Sequence, residues 1–311
     1  MPVPSIRFGL QAALEADPRA WRDLAKKAEA SGFHALYVAD HLGTTASPFA
    51  ALTAAALATS TLKLGTYVAN AGIRGPLALA SDAATVDMIS NGRLVLGLGA
   101  GHTPAEWTMT GRDYPSAPAR VGRLAETVDV VTRLLRGEVV THHGRHVQVE
   151  DAFLLTPRPV QDSIPLLIGG NGARVVELGA RTADIVSLTG AGRTLAGGHL
   201  HEVDWTDAAI DERVAIVRRE SPSSGPPILD ALVQHLGITE HRAVTADRVA
   251  ERVPGANAAD VLGSPYVLVG TLDELAAEIV EHHERWGFAS YVVRAGVIDD
   301  AAALIDHLRR A

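Results

Sequence analysis

The feature that most limits what this chain can fold into is an alternation. Short apolar runs of strand length are each followed by a longer helical pattern, eight times over. The runs are Ile6–Leu10, Ala35–Ala39, Leu62–Val68, Leu94–Gly97, Ile164–Ile168, Ala183–Leu188, Ile228–Val233 and Tyr291–Arg294. Continuous apolar character is that of strands buried on both faces, as parallel sheets require. The segments between them carry helix punctuation: Ser47-Pro48 and Pro76 open helices, while Gly32 and Asn91-Gly92 close them. A doubly wound open sheet and a closed (β/α)8 barrel both alternate in this way. Eight strands in 311 residues favour the barrel, whose typical length is ~250 residues before insertions. The expected fold is therefore an α/β TIM barrel, one domain over residues 1–311. Insertions are expected after strands 4 and 6: a hairpin over 138–159 and the glycine-rich stretch 190–203. No Pro- or Ser-rich linker divides the chain.

Composition narrows the chemistry. The chain has no Cys, which removes disulfides, thiolate metal sites and cysteine nucleophiles. A formal net charge of −8 without any basic block argues against a nucleic-acid partner. No uncharged apolar run approaches the ~18 residues of a membrane span, and the first residues lack the pattern of a secretory signal. The expectation is a cytoplasmic protein acting on small molecules.

The fifth strand leads into Gly169-Gly170-Asn171-Gly172 and then a helical pattern from Ala173. Glycines there let the backbone approach a ligand, and the positive end of the helix suits a phosphate or carboxylate. A tight strand-to-helix turn with no ligand reads the same residues equally simply. The dinucleotide fingerprint fits poorly, because Val175 stands at its third glycine and Asp184 comes too early for its acidic residue.

In a barrel of this kind the working residues sit at the C-terminal ends of strands. That position is held by Asp40 and His41 after strand 2, and by Ala69 and Asn70 after strand 3. Gly99, Ala100, Gly101 and His102 follow strand 4, with Glu106 in a loop beyond, and Gly169 to Gly172 follow strand 5. A carboxylate beside a histidine can fix its tautomer and raise its basicity, as acid/base chemistry needs. The same Asp-His pair can equally be a surface pair capping the next helix. His142, His143 and His146 fall on the expected hairpin, and His199, His201, His282 and His283 read as solvated faces. No HExxH is present and no metal is expected; no GxSxG elbow surrounds Ser187.

Val38-Ala39-Asp40-His41, the run Arg93 to Gly101, and Pro157-Arg158-Pro159-Val160-Gln161 continuing through Ile168 to Gly172 together resemble the luciferase-like monooxygenase superfamily. Leu268 to Glu274 and Gly287 to Arg294 are similar to that family's last barrel unit. Asp-His after strand 2 resembles most the branch that uses the deazaflavin coenzyme F420. The resemblance implies a barrel with a flavin or deazaflavin in its mouth and hydride transfer at the ring. It places His41 near the ring with Asp40 in support, and makes Glu106 a proton donor or acceptor. Ala69-Asn70 would be a bulge with a non-prolyl cis peptide, Gly99 to Gly101 would line the cofactor, and Gly169 to Gly172 would hold its phosphate. Arg174, Arg181 and Arg193 are the cations available near that turn for an acidic cofactor tail.

Three readings follow. One is an F420-dependent oxidoreductase acting on a small organic substrate, another an FMN-dependent monooxygenase, and the third a barrel that binds a flavin without catalysis. The family also implies a homodimer; the alanines of the helices from Pro48 and Pro76 allow close helix approach between copies, and could equally pack on the barrel.

Overall fold

The structure is a computed structural model that describes residues 5–14, 17–194 and 201–310. Its parallel strands are β1 (Arg7–Ala12), β2 (Ala35–Val38), β3 (Lys63–Thr66), β4 (Leu94–Gly99), β5 (Leu166–Gly169), β6 (Ile185–Leu188), β7 (Ile228–Leu232) and β8 (Phe288–Arg294). The helices of the first half are α1 (Pro18–Ala30), α2 (Pro48–Ala56), α3 (Pro76–Ser90), α4 (Pro104–Met109) and α5 (Ala117–Leu135). Those of the second half are α6 (Ala173–Thr182), α7 (Asp207–Glu220), α8 (Arg242–Arg252), α9 (Ala258–Gly263), α10 (Leu272–Trp286) and α11 (Ile298–Arg310). Eight parallel strands alternating with helices make this the (β/α)8 barrel expected from the sequence.

The chain divides into two compact units. Residues Ala13–Lys26 and Leu36–Ile168 form what we term the N-terminal unit. Met1–Ala12, Lys27–Ala35 and Gly169–Ala311 form the C-terminal unit. The N-terminal unit carries the parallel order β2-β3-β4-β5, with Leu64 opposite Leu94 and Leu96 opposite Leu166. The C-terminal unit carries the parallel order β6-β7-β8-β1, with Ile228 opposite Ile185 and Gly9 opposite Val292.

Two buried charges brace the N-terminal unit. Arg93 donates to the carbonyls of Ala56, Thr59, Leu62 and Ser90 and to the Thr59 hydroxyl, so its guanidinium is satisfied while closing the end of α2. Asp87, fully buried in α3, accepts from the backbone N–H groups of Val160 and Gln161 at 2.7 and 3.0 Å, and from the Gln161 side chain. The Pro157 to Gln161 motif thus owes its place to a buried carboxylate. Gly97 is required by close approach: a Cβ there would lie 2.0 Å from the Thr66 carbonyl oxygen.

Three excursions leave the parallel strands. Val140–His143 pairs antiparallel with Gln148–Ala152, and Ala191–Thr194 with His201–Val203. The third was not foreseen: His235–Ile238 and Val267–Gly270 form a parallel pair after β7. Each has only four residues, too few to separate from the neighbouring apolar run by pattern alone. His282 also departs from expectation, since it is buried, not solvated. It shares the inward stripe of α10 with Leu275, Ile279 and Trp286, at helical spacing. His199 lies outside the described residues, as do the side chains of Arg193 and His201.

Candidate active site

In the N-terminal unit the chain leaves β2 into Asp40 and His41, and His41 is steadied locally by its N–H donating to Thr45 Oγ1 at 3.0 Å. Beyond β3 the peptide Tyr67–Val68 is cis. The non-prolyl cis bond expected at Ala69–Asn70 or beside it therefore lies two bonds upstream. Ala69 and Asn70 then form a two-residue strand against Leu98 and Gly99 at the end of β4. After β4, Gly101 takes a φ of +73° and Thr103-Pro104 opens α4. Glu106 sits in the first turn of this short helix, not in a loop; the Thr-Pro start is a legible N-terminus.

These pieces meet at Glu106. Its Oε1 is 2.7 Å from His41 Nδ1, and its Oε2 accepts from Asn70 Nδ2 at 2.7 Å. Glu106 and Asn70 are buried, whereas the His41 side chain is 38% exposed, so the pair has one sealed end and one open end. The His102 ring meets His41 edge-on at 5.6 Å.

Asp40, expected to support His41, is hydrogen-bonded to the residues beyond β3. Its two oxygens accept from Arg74 at 2.6 and 2.9 Å, and Oδ2 also accepts the Asn70 N–H at 3.0 Å. The carboxylate seen in hydrogen-bonding contact with the His41 ring is that of Glu106. Arg74, absent from the sequence expectations, packs over the Phe49 ring, and its hydrogen bonds to Asp40 raise its pKa further. Arg112 donates to the carbonyls of Gly72 and Ile73, and Arg123 to that of Ala71. Carbonyl-to-guanidinium bonds thus pin the turn that follows Asn70.

The glycine turn belongs to the C-terminal unit. Gly170 has a φ of +154° and donates its N–H to Ser187 on β6 at 3.0 Å, so that group serves the sheet and not a ligand. The first intrahelical bond of α6 is Val175 N–H to the Gly172 carbonyl, which leaves the N–H groups of Gly172, Ala173 and Arg174 at the helix head. A Cβ on Gly172 would meet nothing within 4 Å, so open space lies there.

Behind the turn, Arg213 of α7 donates from Nε to the Asn171 carbonyl at 2.7 Å. Its NH1 is buried without a hydrogen bond, lying 2.9 Å from Glu212 Oε2 but outside bonding geometry, and Asn171 Oδ1 is likewise buried and unmatched. The unmatched Arg213 NH1 donor beside a helix head suits an anionic guest, whereas Asn171 Oδ1 can only accept from a donor. Of the cations proposed from sequence, Arg174 is exposed, and Arg181 is engaged with Glu220 at 2.6 Å. Arg213 carried no sequence signal, because only the packing of α7 brings it to the turn.

Barrel and site define a β/α protein with a histidine–carboxylate pair at the C-terminal ends of its strands. Its family can be stated outright: the chain belongs to the luciferase-like monooxygenases, whose family model matches residues 5–290. Among curated relatives, an F420-dependent glucose-6-phosphate dehydrogenase of Nakamurella multipartita is 34% identical over 193 residues. That match covers 59% of this chain and 56% of the relative, so it spans little more than half the relative's length. A 5,10-methylenetetrahydromethanopterin reductase of Methanopyrus kandleri is 31% identical over 239 residues, 68% of each chain. Among solved structures, an F420-dependent secondary alcohol dehydrogenase in complex with an F420–acetone adduct has a TM-score of 0.75 at 22% identity, over 98% of this chain and 99% of that one. A long-chain alkane monooxygenase has a TM-score of 0.76 at 14% identity, over 98% and 91%. These two likenesses speak to the fold.

Proposed function

We propose that this protein is an oxidoreductase that binds coenzyme F420 and moves a hydride between it and a small organic molecule, working as a single barrel domain and as a cytoplasmic homodimer. The observation that carries the reading is the His41–Glu106 contact of 2.7 Å, half sealed and half open. The curated relatives support the choice of cofactor, since F420-dependent glucose-6-phosphate dehydrogenases stand among them. FMN is the alternative cofactor.

When bound, the deazaflavin supplies a carrier for two electrons and one proton as hydride. The residues of this chain do the rest. Hydride loss from an alcohol carbon must be matched by loss of the hydroxyl proton, and hydride gain at a carbonyl by proton gain. His41 is the group to exchange that proton, and Glu106 stabilises the imidazolium that forms. Gly99, Ala100 and Gly101 offer backbone without bulk beside Asn70. The helix head at Gly172, Ala173 and Arg174, with Arg213 behind it, would hold the cofactor phosphate.

Titrating the purified protein with F420, followed by quenching of deazaflavin fluorescence, and in parallel with FMN, tests the assignment. Saturable F420 binding is expected. Binding of FMN alone, or of neither, would overturn it. His41→Ala should leave cofactor affinity within a few-fold and slow single-turnover hydride transfer by roughly 10²–10⁴-fold.

A further inference from the structure

Asn70 is placed to do more than line a cofactor. Its Oδ1 accepts the Gly72 N–H at 3.0 Å, and its Nδ2 donates to Glu106 Oε2 at 2.7 Å. A backbone N–H can only donate, so the amide has one permitted orientation. Turned over, it would set donor against donor at Gly72 and acceptor against acceptor at Glu106.

The surroundings are closely packed. A Cβ on Gly101 would lie 2.2 Å from Asn70 Oδ1, and a Cβ on Gly72 would lie 2.3 Å from the Trp107 ring. The Asn70 N–H is held by Asp40, and its carbonyl accepts from Ile73 and Arg74. The side chain is thus a fixed donor aimed at one oxygen of a buried carboxylate.

We propose that Asn70 is a positioning residue that holds the Glu106 carboxylate with Oε1 against His41 Nδ1, so that His41 keeps one proton on Nδ1 and exchanges the other at Nε2. A donor to a carboxylate favours its charged form. An imidazole ordinarily holds its proton about two pH units more tightly than a carboxylate does. Both effects put the shared proton on His41 Nδ1, 2.7 Å from Glu106 Oε1. Nε2, across the ring from the sealed carboxylate, becomes the titrating atom. Among the charged or titratable groups around the pair are His102, Asp40 and Arg74, with Arg112 and Arg123 on the Asn70 turn.

The inference rests on the proposed role of His41 and Glu106, and its test is separate because it needs no cofactor. The protein, labelled with ¹⁵N-histidine in a His102→Gln background, is followed by long-range ¹H–¹⁵N correlation across pH. The His41 signals are assigned by their loss in His41→Ala. Above its midpoint, His41 should show the Nδ1-protonated neutral form. Asn70→Ala removes a donor that favours the more negative state of the pair, so the His41 midpoint should rise by about one pH unit, the scale of one charge-assisted hydrogen bond. Asn70→Leu keeps the approximate volume, removes the donor and should raise the midpoint as far; it serves alone if Asn70→Ala fails to fold. A neutral His41 protonated on Nε2, or a midpoint that falls or stays within about 0.3 units of wild type in the folded variants, would overturn the proposal. Lost stability with an unmoved midpoint counts as overturning, since it makes Asn70 structural only.

Discussion

The Asp40–Arg74 pair gives the sharpest test of how the site is held. Asp40 is almost fully buried and Arg74 is 20% exposed, and two hydrogen bonds of 2.6 and 2.9 Å join them. Replacing Asp40 with Asn keeps the shape but leaves one oxygen to serve two donors, and turns an amide N–H₂ towards the guanidinium. Breaking a buried pair by removing one partner costs ~3–5 kcal/mol. Arg74 keeps some solvent and has Asp82 at 3.9 Å, so the lower end applies, about 3 kcal/mol. With an unfolding entropy of ~2.1 cal/mol/K per residue, that lowers the melting temperature by about 5 °C if the whole chain unfolds together, and by about twice that if the N-terminal unit unfolds alone.

A double-mutant cycle separates this pairing from generic damage. Arg74→Met alone strands a buried carboxylate and should cost a similar amount. Asp40→Asn with Arg74→Met removes both charges and should cost much less than the sum, a coupling of at least about 1 kcal/mol. Urea unfolding followed by tryptophan fluorescence measures all four proteins. Additivity within about 0.5 kcal/mol would refute the reasoning, because it would mean that the two side chains do not sense each other.

Other expectations rest on separate parts of the molecule. Gly101→Ala places a Cβ against Asn70 at a φ of +73°, so it should lower stability by about 1–2 kcal/mol from backbone strain and slow turnover; unchanged melting and turnover would contradict the close approach. Glu278, buried in α10, has its pKa pushed up to about 8 chiefly by burial, against the opposing charge of Arg242. The stability this group contributes should therefore fall as pH rises from about 4.5 to about 8, where the unfolded chain has released this proton and the folded one still holds it, with a net fall above about 6.5 where His282 no longer opposes it. Glu278→Gln should flatten that slope in pH-dependent denaturation. His282, lowered to about 4 mainly by burial, acts oppositely, costing stability as pH falls from 6.5 towards 4. For the proposed homodimer, light scattering should find twice the 32.7 kDa of one chain, and charges at Leu57, Leu77 and Met88 near α2 and α3 should halve it; a wild-type monomer at micromolar concentration would remove the proposal.

How much of this could be read from sequence depended on whether a feature is local or tertiary. Each barrel strand announces itself because burial on both faces leaves a continuous apolar run, as in Leu94–Gly99 and Leu166–Gly169. The barrel order then puts Asp40, His41 and Asn70 at strand ends and Glu106 in the short helix just beyond, so which residues come together was legible. The division of labour within it was not. Adjacency in sequence suggested Asp40 as the partner of His41. Successive residues leaving a strand point in different directions, however, and the carboxylate that reaches His41 comes from 65 positions away. The same holds at the glycine turn, where the Gly170 N–H donates to Ser187 and the cation bonded to the turn is Arg213, 42 positions from Asn171. Asn70 shows the limit most clearly. Nothing in Ala69-Asn70-Ala71-Gly72 distinguishes a cofactor-lining amide from one locked between Gly72 and Glu106. The signal that could have done so is the pair of glycines at 72 and 101. Read singly, they suggest room for a ligand; in the structure that room is taken up by Trp107 and by the Asn70 side chain. A glycine at such a site therefore does not say which neighbour needs the space, and that question is settled only when the packing partner is known.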